Sequence, residues 1–277
     1  TNYKYFININ SSVTRPNQYT LFNNKGKVIR ILEDNHELLE KLNEYNLSEK
    51  QLIKIHDDAF VMPNGETVDI DGWQILPTDF DPAKQYPVLI YVYGGPGHQT
   101  VLNKWGDGYW SWMQYLAQHG IITVSINNRG SGAQGEMFKK MTYLELGKYE
   151  TEDMITLAKY MAEKPYVNPD KIAIFGWSYG GFMAANGITK GADYISTAVS
   201  VAPVTNWRYY DNIYTERYMR TPQENPSGYD DNSPVSNTAM IKGNYLLCHG
   251  SGDDNVHYQN AMELIMSMIA NGGQFGF

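Results

Sequence analysis

From residue 86 onward, short apolar runs alternate with stretches of helical spacing. That alternation restricts the chain to an α/β architecture more tightly than anything else in it. Residues 87–93 (Pro-Val-Leu-Ile-Tyr-Val-Tyr) form a continuous apolar run, as do 121–126 and 171–175. Such runs suit strands buried on both faces. Residues 195–201 and 245–248 read as further strands. Between them, 110–119 is helical and stopped by Gly120. Residues 151–162 carry Met154, Leu157, Ala158 and Met161 at helical spacing before Pro165 and Pro169, and 182–188 follows as another helix. Repeated β-α-β units give a mostly parallel central sheet covered on both faces. In such sheets ligands sit beyond the carboxyl ends of the strands, so chemistry is sought in the loops there.

The first part of the chain has a different character. Only Gly26, Gly65 and Gly72 of the 25 glycines fall before residue 80. Residues 3–9, 18–22 and 27–32 read as short strands, the last two joined at Asn23-Asn24-Lys25-Gly26. Asp34 or Asn35 is placed to cap a helix with Leu38, Leu39, Leu42 and Tyr45 on one stripe. Residues 51–75 read as further strands with a turn at Pro63-Asn64-Gly65. Strands this few need cover from elsewhere. The formal charge of −8 disfavours a general nucleic-acid binder, which gains affinity by neutralising phosphates. No apolar run reaches the roughly 18 residues of a membrane span. The start, TNYKYFININ, lacks both an initiator Met and the pattern of a signal peptide, so a processed or excised chain is expected. Cys248 stands alone, and no histidines or cysteines sit at metal-ligand spacing, so neither a disulfide nor a metal or other cofactor is expected.

Gly176-Trp177-Ser178-Tyr179-Gly180-Gly181 directly follows the strand 171–175 and precedes a helix. A G-x-S-x-G run in that setting holds a serine on a sharp strand-to-helix turn, with the helix N-terminus behind it. The competing reading is a tight turn with an inert serine. A nucleophilic Ser178 needs two oxyanion donors and a base. The Tyr179 N–H supplies one donor, and the loop Tyr93-Gly94-Gly95-Pro96-Gly97 is placed for the other. After strand 245–248, His249-Gly250-Ser251-Gly252-Asp253-Asp254-Asn255-Val256 offers two carboxylates. One of them could instead cap the helix starting near Val256.

These motifs, with Asn128-Arg129-Gly130-Ser131-Gly132 and the segment Ala202-Pro203-Val204-Thr205-Asn206-Trp207-Arg208-Tyr209-Tyr210-Asp211, resemble the prolyl oligopeptidase family, and its dipeptidyl peptidase IV branch above all. The resemblance implies an α/β-hydrolase fold over residues 51–277, preceded in residues 1–50 by strands of a β-propeller and a linker helix. It implies that Ser178 is the nucleophile, Asp253 the triad acid, and the Tyr93 hydroxyl with the Tyr179 N–H the oxyanion hole. An apolar slot for the residue before the scissile bond would be lined by Tyr179, Val204, Trp207, Tyr210, Tyr214 and Val256. Tyr210 would also face the substrate amine, and Asn255 a substrate carbonyl. Trp207, Tyr210, Tyr214 and Tyr218 are three, four and four residues apart, which predicts one helix face. Ordinary core packing is the alternative use of such a stripe.

The resemblance further implies a serine exopeptidase that removes X-Pro or X-Ala dipeptides from a peptide substrate through an acyl-enzyme. The family's triad histidine lies in a loop after the last strand, which is expected to begin near residue 275. His249, His257 and the four earlier histidines do not take its place, so the 277 residues alone are expected to be inactive, the final strand and its loop being absent. Arg129 reads as structural. Other peptidases of the family, a carboxylesterase and a catalytically silent interaction module are the rival readings. Secreted, periplasmic or membrane-anchored placement and a homodimer follow only from family habit.

Overall fold

A computed structural model describes residues 2–106 and 108–277. Strands β1 (Tyr5–Ser12), β2 (Arg15–Asn23) and β3 (Val28–Glu33) form their own antiparallel sheet in that order. The β2–β3 turn closes with Gly26 N–H donating to the Asn23 carbonyl at 3.0 Å, and Gly26 takes a φ of 78°. Phe6 stacks on Phe22 at 5.3 Å between ring centres, but every residue of β3 and most of β1 is exposed. Helix α1 (His36–Leu42) buries none of its residues, and Tyr45 lies beyond its end. The expected leucine stripe is therefore not a packing face here. Asn35 occupies the N-cap position without a side-chain cap bond, and Asp34 Oδ1 accepts from the His36 N–H at 3.0 Å.

The main body follows as β4 (Lys50–Ile55), β5 (Ile70–Ile75), β6 (Tyr86–Tyr91), α2 (Trp110–Gln118), β7 (Ile122–Ile126), α3 (Glu136–Lys140) and α4 (Tyr149–Ala162). Then come β8 (Val167–Trp177), α5 (Tyr179–Lys190), β9 (Thr197–Val201), α6 (Asn212–Met219), α7 (Pro226–Asp230), β10 (Asn244–Cys248) and α8 (Gln259–Ala270). Among the described residues the strands divide three and seven, the seven-stranded sheet running β10-β9-β8-β6-β7-β5-β4. β6 to β10 are mutually parallel, while β5 pairs antiparallel with both β4 and β7. This is the mostly parallel α/β-hydrolase sheet expected from the sequence, and the strands of 51–75 form its antiparallel edge. At the other edge, Gly276 bridges Leu246 in parallel sense.

The two sheet faces carry separate apolar clusters. Val88, Ile90, Ile172, Ile174 and Ala198 belong to the larger, which α4 and α5 cover. Trp73, Ile75, Met113 and Ala117 form the smaller beneath α2. Alternation along each strand puts successive side chains on opposite faces, so both clusters draw on the same strands. Among the described residues no helix is long and apolar enough to cross a membrane.

Arg129, in the loop after β7, ties three segments together. Its Nε donates to Asp153 Oδ1 at 2.7 Å, its Nη1 to the Val61 carbonyl at 2.9 Å, and its backbone N–H to Asp153 Oδ2 at 2.6 Å. The Arg129 side chain is 4% exposed and that of Asp153 is fully buried. Burial works against the guanidinium charge, but Asp153 and Glu152 more than offset it and raise its pKa. Removing one partner of such a pair strands the other in the interior. Arg129→Met is expected to destabilise the chain by about 3–5 kcal/mol in urea unfolding, with Arg129→Lys recovering little because it cannot form the forked bond.

Candidate active site

The loops at the carboxyl ends of β6, β7, β8, β9 and β10 meet at one edge of the sheet. Ser178 stands between the end of β8 and the start of α5, with φ 58° and ψ −117°. That conformation costs a non-glycine residue roughly 1–3 kcal/mol, and the surroundings impose it. A β-carbon at Gly176 would stand 2.1 Å from the Gly180 carbonyl oxygen, and one at Gly180 would stand 2.2 Å from the Val92 carbonyl oxygen. The Ser178 N–H donates to the Val201 carbonyl at 2.8 Å, and its carbonyl accepts from the Phe182 N–H at 3.0 Å. The serine is part-exposed rather than packed away. Tyr179 is the first residue of α5, where a backbone N–H has no intrahelical acceptor.

Tyr93 follows β6, the strand next to β8. Its ring lies 6.0 Å from that of Tyr179 and 4.3 Å from His98. A β-carbon on Gly95 would come within 2.7 Å of Tyr93 Cε1 and 3.3 Å of Tyr179 Cγ, so the glycine lets the two rings and the loop converge. Burial pushes the Tyr93 phenol above the usual tyrosine value, and Tyr210 and Tyr218 add to it. The loop after β7 braces this one: Asn128 Nδ2 donates to the Gly94 carbonyl at 3.1 Å, and the Gly97 N–H to the Gly130 carbonyl at 2.9 Å. Beside it opens a cavity of about 1010 Å³ whose walls include Pro96, Lys139, Tyr143, Arg217 and Tyr218.

The aromatic row predicted from spacing is present, but it is not one helix face. Trp207 sits in a single 3-10 turn, Trp207–Tyr209. Tyr210 is extended at φ −119° and ψ 167°, and Asp211 then caps α6 by accepting from the Tyr214 N–H at 2.8 Å. Two short elements meeting at a bend bring the rings together. Trp207 stacks on Tyr214 at 5.8 Å and meets Tyr210 edge-on at 6.0 Å and Tyr179 at 5.3 Å. Val204 and Val256 are both buried, in the same core as Trp207. The Tyr210 hydroxyl donates to Asn255 Oδ1 at 3.0 Å, which joins the row to the loop after β10.

In that loop, Asp253 Oδ1 accepts from the Asn255 and Val256 N–H groups at 3.0 and 2.9 Å. Asp253, the expected acid, is thus itself the residue that caps the turn, so capping and the acid role do not divide between the two aspartates. Asp253 holds the turn with one oxygen and keeps the other, while Asp254 is exposed. Residues through Tyr258 form a turn, and α8 starts at Gln259 rather than near Val256, so His257 lies in the turn. The His249 side chain is fully buried, and its Nε2 is 2.7 Å from the Val256 carbonyl but 3.7 Å from Asp253 Oδ2.

A residue not anticipated from sequence lies behind the serine turn. Glu150, fully buried on α4, accepts from the Tyr179 hydroxyl at 2.5 Å and from the Gly147 N–H at 3.1 Å to each oxygen. Burial pushes its carboxyl up to about 7, while the Tyr179 and backbone hydrogen bonds pull the other way. The signal was available: Glu150, Met154 and Ala158 are four apart, placing the acid on the apolar stripe.

A model of the prolyl oligopeptidase family matches residues 109–277. The chain belongs to that family. It is 44% identical over 243 residues to a Paracoccidioides lutzii protein named probable dipeptidyl-aminopeptidase B, covering 87% of this chain and 25% of that protein. An Ajellomyces capsulatus protein of the same name is 43% identical over 245 residues, covering 87% and 26%. The crystal structure of Porphyromonas gingivalis dipeptidyl peptidase 4 superposes with a TM-score of 0.91 at 38% identity, over 99% of this chain and 38% of that one. The chain thus spans about a quarter of the length of the curated relatives it matches.

Two measurements probe this geometry. Gly180→Ala is expected to cost about 3 kcal/mol in urea unfolding, because the clash is with backbone that cannot rotate away. For Glu150, the folded state holds the proton to about pH 7 against an ordinary value near 4.5. Its contribution is thus complete below about pH 4.5 and lost as pH rises through 7. Relative to Glu150→Gln, the native chain should lose on the order of 2 kcal/mol of stability between pH 5 and pH 8. Parallel unfolding curves at the two pH values would contradict this.

Proposed function

We propose that this chain is the hydrolase part of a serine exopeptidase that releases X-Pro and X-Ala dipeptides from the free N-terminus of peptides. The observation carrying the reading is Ser178, held at φ 58° at the start of a helix, followed by Tyr179, whose ring meets those of Tyr93 and Trp207. In this reading Ser178 Oγ attacks the scissile carbonyl, and its proton passes to an imidazole. The carbonyl oxygen, now negative, accepts from the Tyr179 N–H and the Tyr93 hydroxyl, whose raised pKa keeps it a donor at neutral pH. The amine leaves with the proton, an acyl-Ser178 remains, and water returns the serine and frees the dipeptide.

The slot suits a pyrrolidine. Trp207, Tyr179, Tyr210, Tyr214, Val204 and Val256 make an apolar wall, and a flat ring or a methyl gains contact where a charged side chain would lose hydration. Asn255 has its Oδ1 engaged by Tyr210, which leaves its N–H groups for a substrate carbonyl. Tyr210 is placed to face the substrate amine. Asp253 Oδ2 is the oxygen offered to an imidazolium.

The imidazole itself has no candidate among the described residues. His249 Nε2 is bonded to the Val256 carbonyl, His36 pairs with Glu40, and His56 with Asp69. His119 bonds the Tyr115 carbonyl, His98 lies over Tyr93, and His257 is exposed. In this proposal the base comes from outside these 277 residues, which alone turn over slowly through the oxyanion donors and binding.

A chromogenic Gly-Pro amide tests both halves. The whole-length protein should cleave it, Ser178→Ala should lower kcat by about 10⁵–10⁶-fold, and a fluorophosphonate should label the native protein but not the variant. The 277 residues alone should fall short of the whole protein by several orders of magnitude. Robust turnover by the short chain defeats the missing-base proposal, and no turnover by the whole protein defeats the peptidase one.

A further inference from the structure

Tyr179 carries two tasks in the reading above: its backbone N–H faces the oxyanion, and its ring walls the slot. The ring touches Tyr93, Phe182 and Trp207 at 6.0, 5.5 and 5.3 Å between centres. Ring-to-ring contacts are weakly directional and tolerate tilting. The one directional contact is at the far end of the phenol, where the hydroxyl donates to Glu150 Oε1 at 2.5 Å.

Glu150 is itself held from behind. Both its oxygens accept from the Gly147 N–H, and the Gly147 carbonyl accepts from Thr151 Oγ1 at 2.6 Å. Gly147 has φ 91°, and a β-carbon there would stand 2.4 Å from Phe182 Cζ, so this loop is pressed against the ring beneath Tyr179. An apolar side chain at position 150 would fill the space without the desolvation cost of a carboxyl. The carboxyl does what an apolar group cannot: it fixes the position of one hydroxyl.

We infer that Glu150 is a positioning residue that acts through Tyr179, setting the tilt of the slot wall and with it the preference for proline over alanine before the scissile bond. This rests on the dipeptidyl peptidase reading. In that reading a pyrrolidine, larger than an alanine methyl, takes more of its contact from the slot's rings, Tyr179 among them. Loosening the ring therefore penalises proline selectively.

The test uses the whole-length protein with Gly-Pro and Gly-Ala amides and three variants: Glu150→Met, which cannot accept the Tyr179 hydroxyl as a carboxyl does, Tyr179→Phe and the double. Circular dichroism and melting temperature check folding. Each single variant should lower kcat/KM for Gly-Pro about tenfold and for Gly-Ala about twofold, shifting the ratio about fivefold. The double variant should be no worse than the worse single, since both cut one link. Should Glu150→Met not fold, Tyr179→Phe decides by its ratio alone. A folded variant with an unchanged Pro-to-Ala ratio, or additive losses in the double, overturns the inference and leaves the peptidase reading standing. A wild-type protein that cleaves neither amide overturns both.

Discussion

The close approach of the start of α5 to the ends of β6 and β9 governs everything at this edge of the sheet. The Gly180 α-carbon lies against the Val92 carbonyl, and a β-carbon at Gly181 would stand 2.7 Å from the Val201 carbonyl oxygen. With no side chain at these positions, the helix axis can start almost on top of the strands. The turn must then be completed in one residue, and that residue is Ser178, in a conformation few side chains adopt. The strain is local and of order 1–3 kcal/mol, small against the burial of the α5 face, where Phe182, Met183, Ala184 and Ile188 are all fully covered. Helix packing wins, and the serine is left projecting at the helix N-terminus.

Competition between hydrogen bonds sorts the loop after β10 in the same way. His249 has two oxygens within reach, and the shorter contact, to the Val256 carbonyl, is the one with hydrogen-bond length. That bond ties His249 to the backbone of Val256 rather than to the Asp253 carboxylate. Asp253 likewise spends Oδ1 on two backbone N–H groups, which fixes its orientation and leaves Oδ2 free. The acid is oriented by its own turn and needs no neighbour to hold it.

The regular parts were legible because periodicity reports burial. The run at 121–126 emerges as β7 but for its first residue, 171–175 lies within β8, and the helix at 110–119 is α2 but for its last residue. The serine turn was legible for the same steric reason that forms it, since glycines at 176, 180 and 181 have no other common purpose. Spacing misled at Trp207 to Tyr218, because three- and four-residue intervals mark a helix only if the backbone stays helical. Asp211 is a better N-cap than interior residue, and capping by its side chain ends one element and begins the next. Glu150 escapes notice because the periodicity starts the helix at Thr151, two residues after α4 begins. At α1 the apolar stripe was real in the sequence, yet α1 buries none of its residues.

The start of α4 links these observations. It carries Glu150 in its first turn and Asp153 just past it, two acids near a helix N-terminus, where the helix dipole favours negative charge. Both are fully buried, and a dipole contribution of a few tenths to about 1 kcal/mol cannot offset that desolvation. What offsets it is partners supplied by the functional loops. Asp153 takes the Arg129 guanidinium and backbone N–H, and the residues on either side of Arg129 hold Gly94 and Gly97 beside Tyr93. Glu150 takes the Tyr179 hydroxyl on the other side of the same site. Two acids three residues apart on α4 thus reach both the Tyr93 loop, by way of Arg129 and its neighbours, and the Tyr179 ring, through buried hydrogen bonds that are strongest where water is excluded. Apolar residues at these two positions would pack more cheaply, but they would leave the Tyr93 loop and the Tyr179 ring located by van der Waals contact alone.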